Sequence, residues 1–573
     1  MSEAEAGGAG SGVSQAERGE AEWSLRPWLI AGLFGLAGLL IHFATDGHDD
    51  DSVRVALAAF LLFGAVAAGF TLEPGRWKAP SLFAVLIGVI MAGLAWRAVR
   101  YGESLPDEEY GFAAGVVASA LALPLFQSGF HRTRLRTPYP EVFHHVWTDA
   151  ISAAGTLAFT GLSWLVLLIL SELFHLLKID LLRDAMGEGW FGWTFSGLAA
   201  GAALGTLRNQ LKVLGTLQTV VLLVASLLAV PVAAGLVVFL LASAVSGPQV
   251  LWDATRSATP VLLMCAAGAF VLTNAVLRGA NEAMSGSRAL RIAAWVLAAT
   301  ILPLAVFASV SMGVRLDQYG LAPERLWGLV AIVVACVCGV GYWASLLRGR
   351  KGEWPQRLRE ATFHLGLVVC ALAILLALPV LDFGAISTRN QLARLESGKV
   401  SVEDFDYAAL KWDFGEAGLR ALRRMADGDN AKVAELAQAA LAQTQRSYGF
   451  ARPARAADEI DVRVQPDDPE LKRLVVDHLR ANPWQCQDAC VALDLGEQRG
   501  RRRVAIVQSS GYRVITFDGE GAGVEEPEVA AAALPIRDGT VVEIREVPTR
   551  YIFVDGKPVG PPLDALEGEA PPR

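Results

Sequence analysis

Eleven apolar runs, each near 20 residues long, constrain this chain more than any other feature. They lie at roughly 28–44, 54–72, 80–96, 111–127, 150–174, 190–206, 217–244, 258–277, 289–312, 325–347 and 362–382. At about 1.5 Å per residue, 20 helical residues match a bilayer's hydrocarbon thickness of about 30 Å. Inside lipid a backbone must satisfy its own polar groups, so each run is predicted to be a helix. The fifth and seventh runs are long, and a re-entrant turn in either would change the count by one. Pro231 sits inside the seventh, where it frees a carbonyl that a neighbouring helix must satisfy. The expected fold is mainly α: a polytopic transmembrane bundle of about eleven spans, then a short soluble helical array and a small β-rich C-terminal module.

Charge is distributed accordingly. Only 19% of the 573 residues are charged, against about 25% in soluble proteins. About half of those charges lie after residue 382, so the first two thirds are depleted of them. The net charge of −8, with no basic domain, argues against nucleic-acid binding. Residues 1–26 are acidic, small and polar and lack the basic start of a cleaved signal peptide. They are expected to form a disordered tail before a retained first span.

Orientation follows from Lys and Arg in the connecting loops. With the N-terminus in the cytoplasm, the inside loops hold Arg76 and Lys78; Arg132, Arg134 and Arg136; Arg208 and Lys212; Arg278, Arg288 and Arg291; and the cluster from Arg348 to Arg359. The outside loops are poorer, and the first, TDGHDDDS, is acidic. An odd number of spans then puts the tail on the opposite, periplasmic side, and an even number would leave it in the cytoplasm.

After residue 382 the pattern changes. In ISTRNQLARLESG, Thr388 with Gln391 has the spacing of a capping box, and Gly398 ends the helix. Ser401 with Asp404 opens the next helix, and further helical segments are predicted near 416–426 and 431–446. A linker and a helix fill 451–500. Period-two runs from 501 to 563 (RVAIVQ, YRVITF, VVEIREV, RYIFV) predict strands, with Asp555-Gly556 as a hairpin turn. Residues 564–573 are expected to fray. The bundle is thus assigned to 27–382 and the soluble helical segment to 383–450.

Three stretches carry a family resemblance: YPEVFHHVWTDAISAAGTLAFTGLSWLVLLILSELFHLLKID, YGLAPERLWGLVAIVVACVCGVGYW and ISTRNQLARLESGKVSVEDFDYAALKWDFGEAGLRAL. Together they resemble a bacterial multi-pass membrane family catalogued as domain of unknown function 4153, over roughly residues 30 to 430. The resemblance implies an integral inner-membrane protein. It brings no reaction, substrate or catalytic residue.

Polar groups inside spans are costly and mark candidate sites. Glu172 and His175 share a helix face, as a proton relay or half of a di-carboxylate metal site would require. Such a site needs paired ExxH motifs on facing helices, and two polar groups at the water-facing end of a span are the commoner arrangement. Arg132, Arg134 and Arg136 with His144 and His145 form a candidate contact for an anionic lipid headgroup, set against a plain topology signal. Adjacent histidines diverge by about 100° on a helix and chelate poorly. Gly197, Gly201 and Gly205, four apart, predict a groove for close helix packing. Asn209, Gln210, Gln218, Asn274, Asn281 and Glu282 flank turns, either along a transport path or as caps and interhelical hydrogen bonds.

Cys265, Cys336, Cys338 and Cys370 lie in spans and are expected to pack as small apolar groups. Cys486 and Cys490 lie in the tail at i,i+4, within disulfide reach on a helix; a structural disulfide or two buried thiols are expected there, with oxidation requiring a periplasmic tail. Asp404, Asp406, Asp413 and Glu416 form an acidic cluster, more commonly a solvated face than a cation site. No Walker loop, GxSxG or HExxH is present, and no glycine pattern follows a predicted strand as dinucleotide binding requires, so no catalytic residue, metal or cofactor is assigned. Three functions remain open. The first is a non-enzymatic membrane protein whose tail binds a protein partner or envelope component. The others are a transporter or channel, and an enzyme acting on lipid-linked substrates.

Overall fold

A computed structural model describes residues 23–48, 50–106, 108–246, 258–349, 352–443, 446, 462–482, 485–486, 490–498, 501–508, 511–517, 523–525, 529–530, 552–554 and 557–559. The chain divides into two compact units, Met1–Thr444 and Gln445–Arg573. The expected tail at 1–26, from residue 22 back, the Asp555-Gly556 turn, the VVEIREV run and the C-terminal ten residues lie outside the described residues.

The first unit is helical. Its long helices are α1 (Arg26–Thr45), α2 (Ser52–Thr71), α3 (Lys78–Tyr101), α4 (Glu108–Gln127), α6 (Tyr139–Leu176), α8 (Gly189–Asn209), α9 (Leu211–Ser246), α10 (Ala258–Leu277), α11 (Arg288–Tyr319), α12 (Pro323–Arg348) and α13 (Trp354–Ala377). Two short helices, α5 (Phe130–Thr133) and α7 (Leu181–Gly187), sit in connections. Among the described residues ten helices are long and apolar enough to cross a membrane. The helix α8 is not one of them, because Trp, Thr and five glycines dilute its apolarity.

Geometry nevertheless treats α8 like its neighbours. It runs antiparallel to α1 along the whole of that helix. Gly189 lies against His42, Gly197 against Phe34, Gly201 against Ile30, and Gly205 against Pro27. Each long helix reverses the direction of the one before. The end from which α1 starts is called the near face here, and the opposite end the far face. Gln127 at the end of α4 reaches the carbonyl of Phe70 at the end of α2, and Asn274 near the end of α10 meets Tyr139 at the start of α6, all at the near face.

Two helices exceed their apolar runs. The 38-residue α6 begins at Tyr139 rather than near 150, since the Pro138-Tyr-Pro140 stretch supplies an extended residue and then a proline at the helix start. The 36-residue α9 carries Pro231 within a continuous helix. At about 1.5 Å per residue each exceeds 50 Å, so both project beyond a hydrocarbon core of about 30 Å. The largest core cluster joins α9 to α13 around Leu297, Ile301, Leu304, Tyr342 and Leu358. Outward faces, such as Leu162, Leu165, Val166 and Ile169 of α6, stay exposed and apolar, as lipid contact requires.

Helices α14 (Phe383–Glu396), α15 (Tyr407–Trp412), α16 (Gly415–Ala426) and α17 (Ala431–Ala442) form the soluble array, which belongs to the first unit. Their core is Phe405, Tyr407, Leu410, Phe414 and Leu422. The Thr388–Gln391 capping box does not form. Asp382 caps α14 six residues earlier by accepting from the Ala385 amide, which leaves Thr388 buried in the helix interior. Gly398 follows the helix end with φ of 70°, where a side chain would be strained. Ser401 and Asp404 bond reciprocally, but Asp406 starts α15.

The second unit is a small α/β fold, and it begins before the expected boundary at residue 501. Within 451–500, read as a linker and a helix, β1 (Val462–Gln465) and the helix α18 (Pro469–Ala481) lead to β2 (Cys490–Gln498), which pairs parallel with β1; the helix ends before Cys486, and Cys490 begins β2. The strands β3 (Arg501–Gln508) and β4 (Gly511–Phe517) continue antiparallel, and short β5 (Gly523–Glu525) and β6 (Val529–Ala530) both pair with β4. Two further strands, β7 (Ile552–Val554) and β8 (Lys557–Val559), pair with each other. Leu471, Val475 and Leu479 of α18 cover Val462, Ala492, Val504, Ile506, Ile515 and Phe517 of the sheet. Period-two reading missed β1 because only four residues carry it.

Candidate functional site

Two polar networks lie at the near face of the helical unit. In the first, Gln127 of α4 donates from Nε2 to the Phe70 carbonyl at 2.8 Å and to Asp149 Oδ1 at 3.2 Å. Arg208 of α8 donates to the carbonyls of Gly69 and Leu72, and Arg26 of α1 donates to the Arg208 carbonyl. Asn209 donates to the Trp23 carbonyl at 2.8 Å. The ends of α1, α2, α4 and α8 are thereby tied together where their terminal carbonyls need donors.

His145, Asp149, Ser152 and Thr156 form one stripe on α6, at i, i+4, i+7 and i+11. The stripe runs inward from the near face. Asp149 Oδ2, Gln127 Oε1, Ser152 Oγ and Thr156 Oγ1 are all buried without a hydrogen-bond partner. Ser152 and Thr156 are 1% and 8% exposed.

The second network is closed. Tyr139 donates to Asn274 Oδ1, Asn274 donates to the Tyr342 hydroxyl at 2.8 Å, and Thr362 bonds both Tyr342 and Asn274. Arg359 donates to the carbonyls of Leu277 and Arg278 and to Asn281 Oδ1, capping the end of α10. With every partner in place, this network joins α6, α10, α12 and α13 and offers no vacant group. Of the turn-flanking residues, Asn274 and Asn281 bond within this network and Asn209 bonds the Trp23 carbonyl. Gln218 likewise accepts from Thr148 at 3.5 Å.

At the far face, α14 clasps the α11–α12 turn. Arg394 donates to the carbonyls of Asp317 and Gln318, Gln391 to those of Tyr319 and Leu321, and Asn390 accepts from the Leu321 amide. Lys399 pairs with Asp317 at 2.6 Å.

The residues singled out in the sequence fall as follows. Glu172 and His175 lie exposed at the far end of α6; His175 bonds Asp180 and lies 3.4 Å from Arg183, and no metal-holding group of three or more His, Cys, Asp or Glu is found among the described residues. His145 is 27 residues earlier on the same helix, about 40 Å away, so Glu172, His175 and His145 share no cavity. Arg132, Arg134 and Arg136 are exposed in the α4–α6 connection. His144 and His145 are not in that turn but in the first turns of α6, His144 outward and His145 toward Arg208, because the helix starts at Tyr139. Gly197, Gly201 and Gly205 face α1; a Cβ on them would stand 2.3, 2.4 and 2.5 Å from backbone atoms of Phe34, Ile30 and Pro27. Cys486 and Cys490 are disulfide-bonded. Of the acidic cluster, Asp406 caps α15, Asp404 bonds Ser401, and Glu416 pairs loosely with Arg420.

Sequence reasoning missed the Asp149 centre. Asp149 sits near a basic turn and reads as an interfacial residue; its neighbours Gln127 and Arg208 come from other helices.

Antiparallel apolar helices, a far-face helical array and a second α/β unit define a polytopic membrane protein. Residues 54–425 match the family described as Domain of unknown function (DUF4153), well over half of the chain, and the chain belongs to that family. No curated protein and no solved structure matches it.

Proposed function

We propose that the chain is a membrane-anchored envelope protein of the bacterial inner membrane. In this reading its C-terminal unit binds a protein or an envelope component on the periplasmic side and carries out no chemistry of its own. The Cys486–Cys490 cross-link carries the reading, because disulfides persist in oxidising compartments and are rare in the cytosol. The antiparallel fit of α8 on α1 supports it, since counting α8 as a crossing gives eleven and puts the two chain ends on opposite sides. The near face also collects the excess of Lys and Arg expected of a cytoplasmic surface.

The test is truncation after residue 444. Without residues 445–573 the helical unit inserts and stays monodisperse, while any phenotype of a deletion strain goes uncorrected. Full complementation by the truncated chain would overturn the reading.

A further inference from the structure

We propose that Asp149 is the seat of a monovalent-cation site inside the helical unit, its carboxylate neutralised by a proton or by an alkali ion. The site lies where α4, α6 and α8 meet, and is separate from the C-terminal unit's role above.

An isolated carboxylate removed from water is among the costliest groups a bundle can bury. Asp149 receives one hydrogen bond, from Gln127 to Oδ1, and its Oδ2 is buried with none. Among the described residues no side chain forms an ion pair with it. The nearest fixed cation is Arg208, whose Nη1 is committed to the Gly69 and Leu72 carbonyls. The other charged or titratable groups near the centre are His145, one turn away on α6, the outward-facing His144 beside it, and Arg26 of α1, which bonds the Arg208 carbonyl.

The unpartnered atoms are of one kind. Asp149 Oδ2, Gln127 Oε1 and Ser152 Oγ are oxygens with free lone pairs on adjoining turns or helices. An array of buried oxygens around one carboxylate suits a single positive charge and repels an anion. Thr156 extends the array one more turn into the bundle, and His145 extends it toward the near face, so the stripe is continuous from water inward. In the network around Asn274 and Arg359, by contrast, the side-chain hydrogen bonds are made.

Infrared difference spectroscopy on the full chain in lipid nanodiscs, with carboxyl-13C aspartate as an isotope edit, reads this directly. A carboxylic-acid carbonyl band that titrates with pH and is lost in Asp149→Asn assigns a proton. A carboxylate stretch that shifts when sodium replaces choline at fixed pH, and is lost in the same variant, assigns an alkali ion. Gln127→Leu keeps the carboxylate while removing the bond to Oδ1, together with that to the Phe70 carbonyl, and should shift whichever band is present, which keeps the test open if Asp149→Asn does not fold. Parent spectra that respond to neither pH nor sodium, or a responding band unmoved in both variants, overturn the proposal.

Discussion

Gly201 of α8 lies so close to Ile30 of α1 that a Cβ there would stand 2.4 Å from the Ile30 carbonyl oxygen and 2.6 Å from the Cα of Ala31. Backbone cannot yield as a side-chain tip can. Gly201→Val should therefore force α1 and α8 apart and cost about 3 kcal/mol. Gly215→Ala is the control, because its Cβ meets nothing within 4 Å and sits within α9. Thermal melting of the detergent-purified protein should show a large fall for the first and none for the second. Equal stability of the two would refute the close packing.

Arg394 holds the α11–α12 turn through two carbonyls, at 2.9 and 2.7 Å, and is 8% exposed. Truncation to Ala should cost about 2–3 kcal/mol, the scale of charge-assisted hydrogen bonds left unmade. Lysine cannot span both carbonyls with one fork, so Arg394→Lys should recover little. Limited proteolysis should then cut between residues 383 and 444 faster than in the parent. An unchanged cleavage rate would show the clasp to be dispensable.

The Cys486–Cys490 bridge closes a loop of only a few residues, so its effect through chain entropy is modest. Cys486→Ser with Cys490→Ser should destabilise the C-terminal unit by about 2 kcal/mol and leave the helical unit untouched. Hydrogen exchange on α18 and β2 should speed up about thirtyfold.

Acid should loosen the same unit. Arg502 bonds Asp468 and Asp494, both at 2.7 Å, and its hydrogen bond to Asp468, followed by the Leu471 and Glu470 amides, holds the Asp468 carboxyl below the usual carboxylate range. A depressed folded-state value means stabilisation is complete at neutral pH and is lost as pH falls from about 4 through that value. Exchange from α18, which Asp468 caps, should rise on acidification, and Arg502→Gln should flatten that dependence. A parent profile as flat as the variant's would contradict it.

The bundle was legible because apolar runs of span length have one solution in lipid. Gly197, Gly201 and Gly205 were legible as a groove, though not the helix that fills it, since periodicity names a face but not its partner. Helix ends were less so: α6 starts well before its apolar run because Pro140, Glu141 and the histidines can all begin a helix at an interface. The Thr388–Gln391 spacing misled, as Asp382 offered an earlier cap and Gln391 found Tyr319 and Leu321, some 70 residues away. Asp149 was invisible for the same reason. Its meaning depends on which groups of α4 and α8 stand opposite, and how far they leave it unpaired.

The account turns on whether α8 crosses the membrane and carries the C-terminal unit to the face opposite the N-terminus. Paired fusions at residue 573, one to alkaline phosphatase and one to green fluorescent protein, measure this. Eleven crossings predict active phosphatase and a dark fluorescent fusion; ten crossings, with inactive phosphatase and bright fluorescence, would contradict it.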